Sequence, residues 1–445
     1  MSALLDTPLI PWGTAPVQRR AAELVAAHAE ADADAVTGAV TAAQDAQLRL
    51  SGGGGLNLYA GSNVLSPRVR AAHTADLASR PAIGWPGEKI QPALGPIEEL
   101  EVIVAQQLRN GFGGRFADGR FVTATLANLA AYAALAAPGD TIATLPPSAG
   151  SHTSHLADGT AGVRGLRGSF LPVDSRSGEI LDAELVDFVR DVRPRIILVG
   201  GSVIQFPTRI GPLRDAADRV GARLIFDASH VAGLIAAGEF PNPLAEGADL
   251  LTFSTYKTLA GPAGGAAVTN EPEVAERMGE ALAPVLSSNY DPARLGPLAI
   301  ATAEAVEQRP AWAKRTIELA VALGERLHAH GLTLLGADRG ITATHQVVVD
   351  AAPWGGGARA MRALEAGGVF VGACRLPHQS VGEEAGGIRL GTQEIVRLGA
   401  GFEHAEPIAA LIAALLRGDF ADAERSREIR RSFGSDLWGR PAPCP

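Results

Sequence analysis

Cysteine is scarce: Cys374 and Cys444 are the only two in 445 residues. That is too few for a disulfide framework and fits a reducing compartment. Positive charge is in the minority, with 39 Lys and Arg against 48 Asp and Glu and a net charge of −9. A nucleic-acid partner, which needs a basic face, is not expected. Long apolar runs are missing as well. The longest, Leu129 to Ala137, is Ala-rich, ends at Pro138-Gly139-Asp140 and is too short to span a bilayer. Met1 to Arg20 lacks a basic start ahead of an apolar core, so no signal peptide is expected. No internal repeat or long linker is visible, and no metal-ligating set is identified. These absences point to a cytoplasmic protein without a membrane or nucleic-acid partner.

The chain is 47% hydrophobic, with 52 Gly and 29 Pro, which suits a loop-rich α/β protein of two or three domains. Residues 17–50 are Ala-rich with charges at helical spacing, the pattern of a helical arm, which is assigned to residues 1–57. Ser51-Gly52-Gly53-Gly54-Gly55 reads as a flexible break. Over residues 58–294 strand and helix patterns alternate, as a large, mainly parallel sheet requires. The clearest strands are Thr141–Leu145, Arg195–Val199, Leu224–Phe226, Leu250–Phe253 and Ala266–Thr269, with a helix over Leu213–Val220. Residues 295–445 begin with a long helical stretch to about 331 and continue as a smaller C-terminal α+β domain. Its strands are expected near Gln346–Asp350 and Gly387–Leu390, and its helices near Ala358–Ala366 and Pro407–Leu416. The tail after Asp419 is charged, then Pro-rich.

One stretch carries the chemistry. Asp227-Ala228-Ser229-His230 follows one buried strand, and Ser254-Thr255-Tyr256-Lys257-Thr258 follows the next, ahead of Gly261-Pro262-Ala263-Gly264-Gly265. In open α/β sheets the ligand crevice lies at the carboxyl ends of the strands. A carboxylate and an amine delivered there suit pyridoxal 5′-phosphate. Lys257 would hold the aldehyde as a Schiff base, and Asp227 would keep the ring nitrogen protonated. His230, three residues after the Asp, would touch the phenolic oxygen or pack nearby, and Ser254 would line the same site. Thr123-Ala124-Thr125 precedes a helix near Leu126, where hydroxyls and free N–H groups cradle phosphate. Arg389, in Gly387-Ile388-Arg389-Leu390-Gly391-Thr392, can grip an α-carboxylate with two parallel hydrogen bonds. Each has a plainer alternative: a surface Lys, a helix-capping Asp or Thr, a core His, a surface Arg ion pair.

Together these residues resemble the serine hydroxymethyltransferase family, of the aspartate-aminotransferase fold (fold type I), from about Leu56 to Gly401. The longest match is Asp227 to Pro243, DASHVAGLIAAGEFPNP, followed by Lys257 to Gly265, KTLAGPAGG. The resemblance implies that Lys257 binds pyridoxal phosphate, Asp227 pairs with its ring nitrogen and His230 lies beside it. Ser202, in Gly200-Gly201-Ser202, matches a serine near the phenolic oxygen. Arg389 matches the substrate-carboxylate arginine. The resemblance also implies a homodimer or dimer of dimers with each site built from two subunits, and Ser287-Ser288-Asn289-Tyr290 would reach the neighbour's phosphate.

The departures bear on function. The family's Ala-Ser-Glu-Asn becomes Ala60-Gly61-Ser62-Asn63, which leaves Ser62 and Asn63 as substrate contacts. Where the family reads Tyr-Ala-Glu-Gly-Tyr-Pro-Gly, this chain reads Pro81-Ala82-Ile83-Gly84-Trp85-Pro86-Gly87. The glutamate serving the folate reaction falls on Ile83, one active-site tyrosine on Pro81, and another near Gln91. The histidine that stacks on the cofactor falls on Ala149 without a gap, or on His152 with a short insertion, with His155 following. His152 is preferred, since an aromatic face over the ring is useful. The usual His before the lysine is Tyr256. Isoleucine transfers no proton, and a retro-aldol step on a β-hydroxy amino acid needs one base and no folate. It releases an aldehyde and leaves a glycine quinonoid. The reading is a folate-independent aldolase or transaldolase acting on an amino acid and an aldehyde. Its candidate bases are His152, ranked first, then His155, His230 and Tyr256. Alternatives are a folate-dependent hydroxymethyltransferase for serine or an α-substituted serine, a cysteine desulfurase using Cys374, and a non-catalytic cofactor holder.

Overall fold

Apolar runs bounded by polar or Gly-rich turns become buried strands in the computed structural model, which describes residues 9–28, 32–307, 311–380, 382–420 and 424–437. The chain divides into two units, residues 1–55 and 56–445. The first contains helices Ala15–His28 and Ala33–Gly53. The second helix starts on Asp32, whose side chain accepts the Ala35 N–H at 2.8 Å. It runs through Ser51 and ends where Gly54 N–H bonds the carbonyls of Arg49 and Leu50. The expected break at residues 51–55 is therefore mostly helix. Glycine in a last turn forfeits little packing and readily caps the end.

The unit 56–445 is organised by a seven-stranded sheet. Its strands are β1 (Phe116–Asp118), β2 (Thr141–Thr144), β3 (Arg167–Phe170), β4 (Ile196–Gly200), β5 (Arg223–Asp227), β6 (Leu250–Ser254) and β7 (Gly265–Thr269). Their order is β1-β7-β6-β5-β4-β2-β3. Only β7 runs against the others, pairing antiparallel with β6 and β1. The central strands are buried on both faces, which is why they read as continuous apolar runs. Ile196, Leu198, Ile225 and Leu250 face the helices Ala124–Leu135 and Pro272–Glu280. Ile197, Val199, Leu224, Phe226, Leu251 and Phe253 face the helices Gly95–Phe112 and Ile210–Val220. β1 and β3 were not read from the sequence.

Beyond this sheet, the expected single helix from 295 to 331 is two, Leu295–Glu307 and Ala313–Ala329. Pro310 lies between them in the sequence, and a ring without an N–H cannot continue a helix. A second, antiparallel sheet then forms from β8 (Gln346–Asp350), β9 (Gly372–Cys374) and β10 (Gly387–Gly391), in the order β8-β10-β9. Helices Gly357–Ala366 and Ala405–Leu416 pack with it. Among the described residues, no helix is long and apolar enough to cross a membrane.

The carboxyl ends of β4 and β5 meet tightly. Gly200 pairs with Asp227, has φ +86°, and leaves no room for a side chain: an added Cβ would lie 2.3 Å from Asp227 O. Gly200→Ala adds left-handed strain of about 1–2 kcal/mol and overpacking of about 1–3 kcal/mol. A loss of roughly 2–5 kcal/mol is expected in urea unfolding of the variant.

Candidate active site

Burying β5 to its last residue carries Asp227 into the interior, where it is 2% exposed. Burial alone would raise its pKa, but its partners outweigh that. His155 Nε2 lies 2.9 Å from Oδ2, the Ser229 N–H donates to Oδ1 at 3.0 Å, and the Asn128 amide donates to Oδ2 at 3.0 Å. The carboxyl is held well below the usual range and stays an anion at any ordinary pH. The His152 N–H donates to His155 Nδ1 at 3.4 Å, which leaves the ring proton on Nε2, facing Asp227. Asn128 also accepts from Thr252 Oγ1 at 2.5 Å, tying its helix to β6.

Register sets the amine beside this anion. Asp227 of β5 pairs with Thr252 of β6, and Lys257 follows the end of β6 by three residues. The turn is fixed by Thr255 N–H on Gly264 O at 3.0 Å, Thr258 Oγ1 on His230 O at 2.9 Å, and Asn63 Nδ2 on Lys257 O at 2.9 Å. Among the described residues the amine itself has no hydrogen-bond partner. Burial lowers its pKa to about 8; Asp227 pulls upward and Arg389 pushes downward. Such an amine supplies free base close to neutrality, as imine chemistry requires.

Nine of the residues named from the sequence border one cavity of about 260 Å³: Thr123, Ala124, Thr125, His152, Ser202, Asp227, Ser254, Tyr256 and Lys257. Thr123 caps its helix, accepting the Leu126 N–H at 3.0 Å. Its hydroxyl is thus engaged, and the N–H groups of Ala124 and Thr125 in the first turn are left without helical acceptors. His152, not Ala149, stands at the cavity. His152 Nδ1 accepts the Ser154 N–H at 3.1 Å, which puts its ring proton on Nε2. Burial first, with the charges of His155, Lys257 and Arg389, lowers its pKa against the pull of Asp227, so the ring is neutral. The residue ranked first as a base is therefore arranged as a donor at Nε2.

Four expected site residues do not border this cavity. His230 is buried behind it, stacked on His345 with centroids 5.7 Å apart and planes at 12°, and its Nδ1 has no partner. The turn into helix Ala232–Ala236 and the bond from Thr258 hold it there. Ser62 Oγ lies 3.0 Å from both Glu394 Oε2 and Asn57 Nδ2, and Asn63 is occupied with the lysine turn. Arg389 lies on β10, 7% exposed, with one Nη donating to Ser202 O and Nε unpartnered. No carboxylate pairs with it among the described residues, so it is a buried cation without an anionic partner there. Within the Ser287–Tyr290 stretch, Tyr290 donates its hydroxyl to Glu101, and Asn289 Oδ1 accepts the Ala82 N–H at 3.3 Å. Burial pushes the Cys374 thiol up to about 12, leaving no thiolate nucleophile at neutral pH. A desulfurase has no support from that group.

Asn128 and Ser154 were not singled out from the sequence, and Ser229 was read only as part of the Asp227–His230 stretch. Asn128 could have been: it is the one strongly polar side chain in the Ala-rich run from Ala124 to Leu135, and it is fully buried. A buried amide in an apolar face needs partners, here Asp227, Ser154 and Thr252.

A mainly parallel sheet with a lysine and a carboxylate at adjacent strand ends defines pyridoxal-phosphate fold type I. The serine hydroxymethyltransferase family model matches residues 39–412, and the chain belongs to that family of enzymes. It is similar to an alpha-methylserine aldolase of Variovorax paradoxus, 38% identical over 95% of this chain and 96% of the relative. An alpha-methylserine aldolase of a Ralstonia species is 36% identical over 81% and 83%. A serine hydroxymethyltransferase of Methanopyrus kandleri is 38% identical over 86% and 91%.

The Lys257 amine should behave as a group titrating near 8 rather than 10.5. Labelling of the cofactor-free protein with an amine-directed acylating reagent, read by peptide mass spectrometry, should show Lys257 reactivity rising through about pH 8. A rise near pH 10, as for surface lysines, would contradict the environment described.

Proposed function

We propose that this chain is a pyridoxal-phosphate-dependent aldolase that cleaves or forms the Cα–Cβ bond of β-hydroxy-α-amino acids without folate, with α-methylserine as its leading substrate. The residues present suit the cofactor: a permanent buried anion, a low-pKa amine, free helix N–H groups and a cavity of matching character. Lys257 would hold the cofactor, Asp227 would pair with its ring nitrogen, and the Ala124 and Thr125 N–H groups would receive its phosphate. When bound, the cofactor supplies an electron sink, so that a bond at Cα can break.

The chain's own side chains do the rest. Arg389, a buried guanidinium without an acidic partner, takes the substrate carboxylate and fixes its orientation. Cleavage requires a proton to leave the β-hydroxyl and one to arrive at Cα. Lys257 Nζ, with a pKa of about 8, accepts and returns protons near neutrality. His152, with its ring proton on Nε2, borders the cavity and is available there as a hydrogen-bond donor. Tyr256, whose ring centroid lies 6.0 Å from Lys257 Nζ, borders the same space. A substrate with a methyl at Cα has no proton there to remove, so no separate base for that position is needed.

The observation that carries the reading is the low-pKa Lys257 amine and the buried Asp227 anion on one cavity. The folate-independent part rests on Ile83 and Pro81, whose side chains have no ionisable group, and on the similarity to the alpha-methylserine aldolases. Gln91, near an expected tyrosine position, is occupied with the Ile83 N–H at 2.9 Å. A folate-dependent hydroxymethyltransferase is the second reading, favoured by the archaeal relatives of that name. The proposal includes a cytoplasmic homodimer.

Purified, cofactor-loaded protein should convert α-methylserine to alanine and formaldehyde without folate. Lys257→Ala should abolish this. Turnover of serine that strictly requires tetrahydrofolate would replace the reading with the second one. Arg389→Lys should raise KM for the amino acid by about tenfold or more, with a smaller change in kcat, because one fork of hydrogen bonds is lost.

A further inference from the structure

Arg294 ends the short turn Pro292–Arg294, which is capped by Asp291, and precedes helix Leu295–Glu307. It is 7% exposed. Its Nε donates to Ala263 O at 2.7 Å, but Nη1 and Nη2 are buried and have no partner. No ion pair involves it among the described residues. It is the one buried arginine there with both terminal nitrogens unpartnered. A buried guanidinium left this way is unfavourable unless an anion offsets it.

Its surroundings indicate where that anion belongs. The guanidinium presses on Gly264: a Cβ added there would lie 1.4 Å from Nη2 and 2.3 Å from Cζ. Gly264 and Ala263 both border the cavity. The next residue, Gly265, packs against the helix start, since its added Cβ would lie 2.4 Å from Thr123 O and 2.6 Å from Ala124 N. The 12-residue helix Ala124–Leu135 thus begins at the wall that Arg294 backs. Free N–H groups, two glycines that permit close approach, and an unpaired cation converge on one end of the cavity.

We propose that Arg294 is a phosphate-binding residue, its charge acting across the Gly264 wall with the Ala124 and Thr125 N–H groups to hold the cofactor's phosphate dianion. This rests on the pyridoxal-phosphate reading and adds to it a cation that the helix N-terminus alone does not provide. In the water-poor wall a charge acts more strongly than at a surface. Phosphate recognition here is then partly ionic, and sensitive to losing one side chain outside the cavity lining.

The test compares two aldehydes that differ only in the phosphate. Cofactor-free wild type, R294Q and R294K are titrated with pyridoxal phosphate and with pyridoxal, following the bound chromophore's absorbance and the quenching of protein fluorescence. R294Q should weaken pyridoxal phosphate by about tenfold or more, the scale of losing one charge from a water-poor site, and change pyridoxal by less than about twofold. R294K, which keeps the charge without the fork, should fall between. Equal weakening of both aldehydes, or of neither, overturns the proposal. If circular dichroism shows that R294Q does not fold, R294K decides: an unchanged ratio of the two affinities overturns it, and a lowered ratio supports it. Failure of the underlying cofactor reading looks different, since wild type would then bind neither aldehyde through Lys257 and K257A would titrate like wild type.

Discussion

Asp227 is a charge buried where no bulk water screens it, and the surrounding structure is arranged to keep it charged. His155, Ser229 and Asn128 all donate to it. Each donor comes from a different segment, so one carboxylate fixes the start of the Ala124–Leu135 helix region, the loop after Ser151, and the turn after β5. The same anion moderates the loss of charge on Lys257, which burial would otherwise push further. Remove the anion and the cavity loses its one fixed negative charge, the element that makes a buried amine tolerable.

The central strands were legible because doubly covered parallel strands are apolar along their whole length, and because polar residues at their carboxyl ends break the pattern. Asp227 and Lys257 could be assigned to adjacent strand ends for that reason. The edge strands Phe116–Asp118 and Arg167–Phe170 were not legible. Each is short and half in solvent, and Arg167-Gly168-Ser169-Phe170 carries no apolar run. Gly372–Cys374 is held in place by its pairing with Arg389, Ile388 and Gly387, a long-range contact that local sequence does not encode.

Within the site, positions along the chain were easier to read than proton states. The sequence placed His152 beside the cavity, but only the Ser154 N–H pointing at Nδ1 shows which nitrogen carries the proton. Cys374 likewise looks available in a string of small residues, yet burial in the small sheet silences its thiol. Ser62 and Asn63 were read as substrate contacts because they sit in the right motif. Their side chains instead turn inward, to Glu394 and to the lysine turn. Hydrogen-bond partners far apart in sequence decide these questions.

Asn63 joins two regions that the chain separates widely. Its amide grips the carbonyl of Lys257, while the neighbouring carbonyls of Tyr59 and Ser62 accept from Gln393, just past the strand that bears Arg389. Tyr59 also bridges to Leu390 within that strand. The cation that would recognise a ligand's acid group and the nucleophile that would react with it are thereby linked by one short tether. A rocking movement of the smaller sheet would tug on the reactive turn, so capture of the ligand and alignment of the amine would proceed as a single mechanical event.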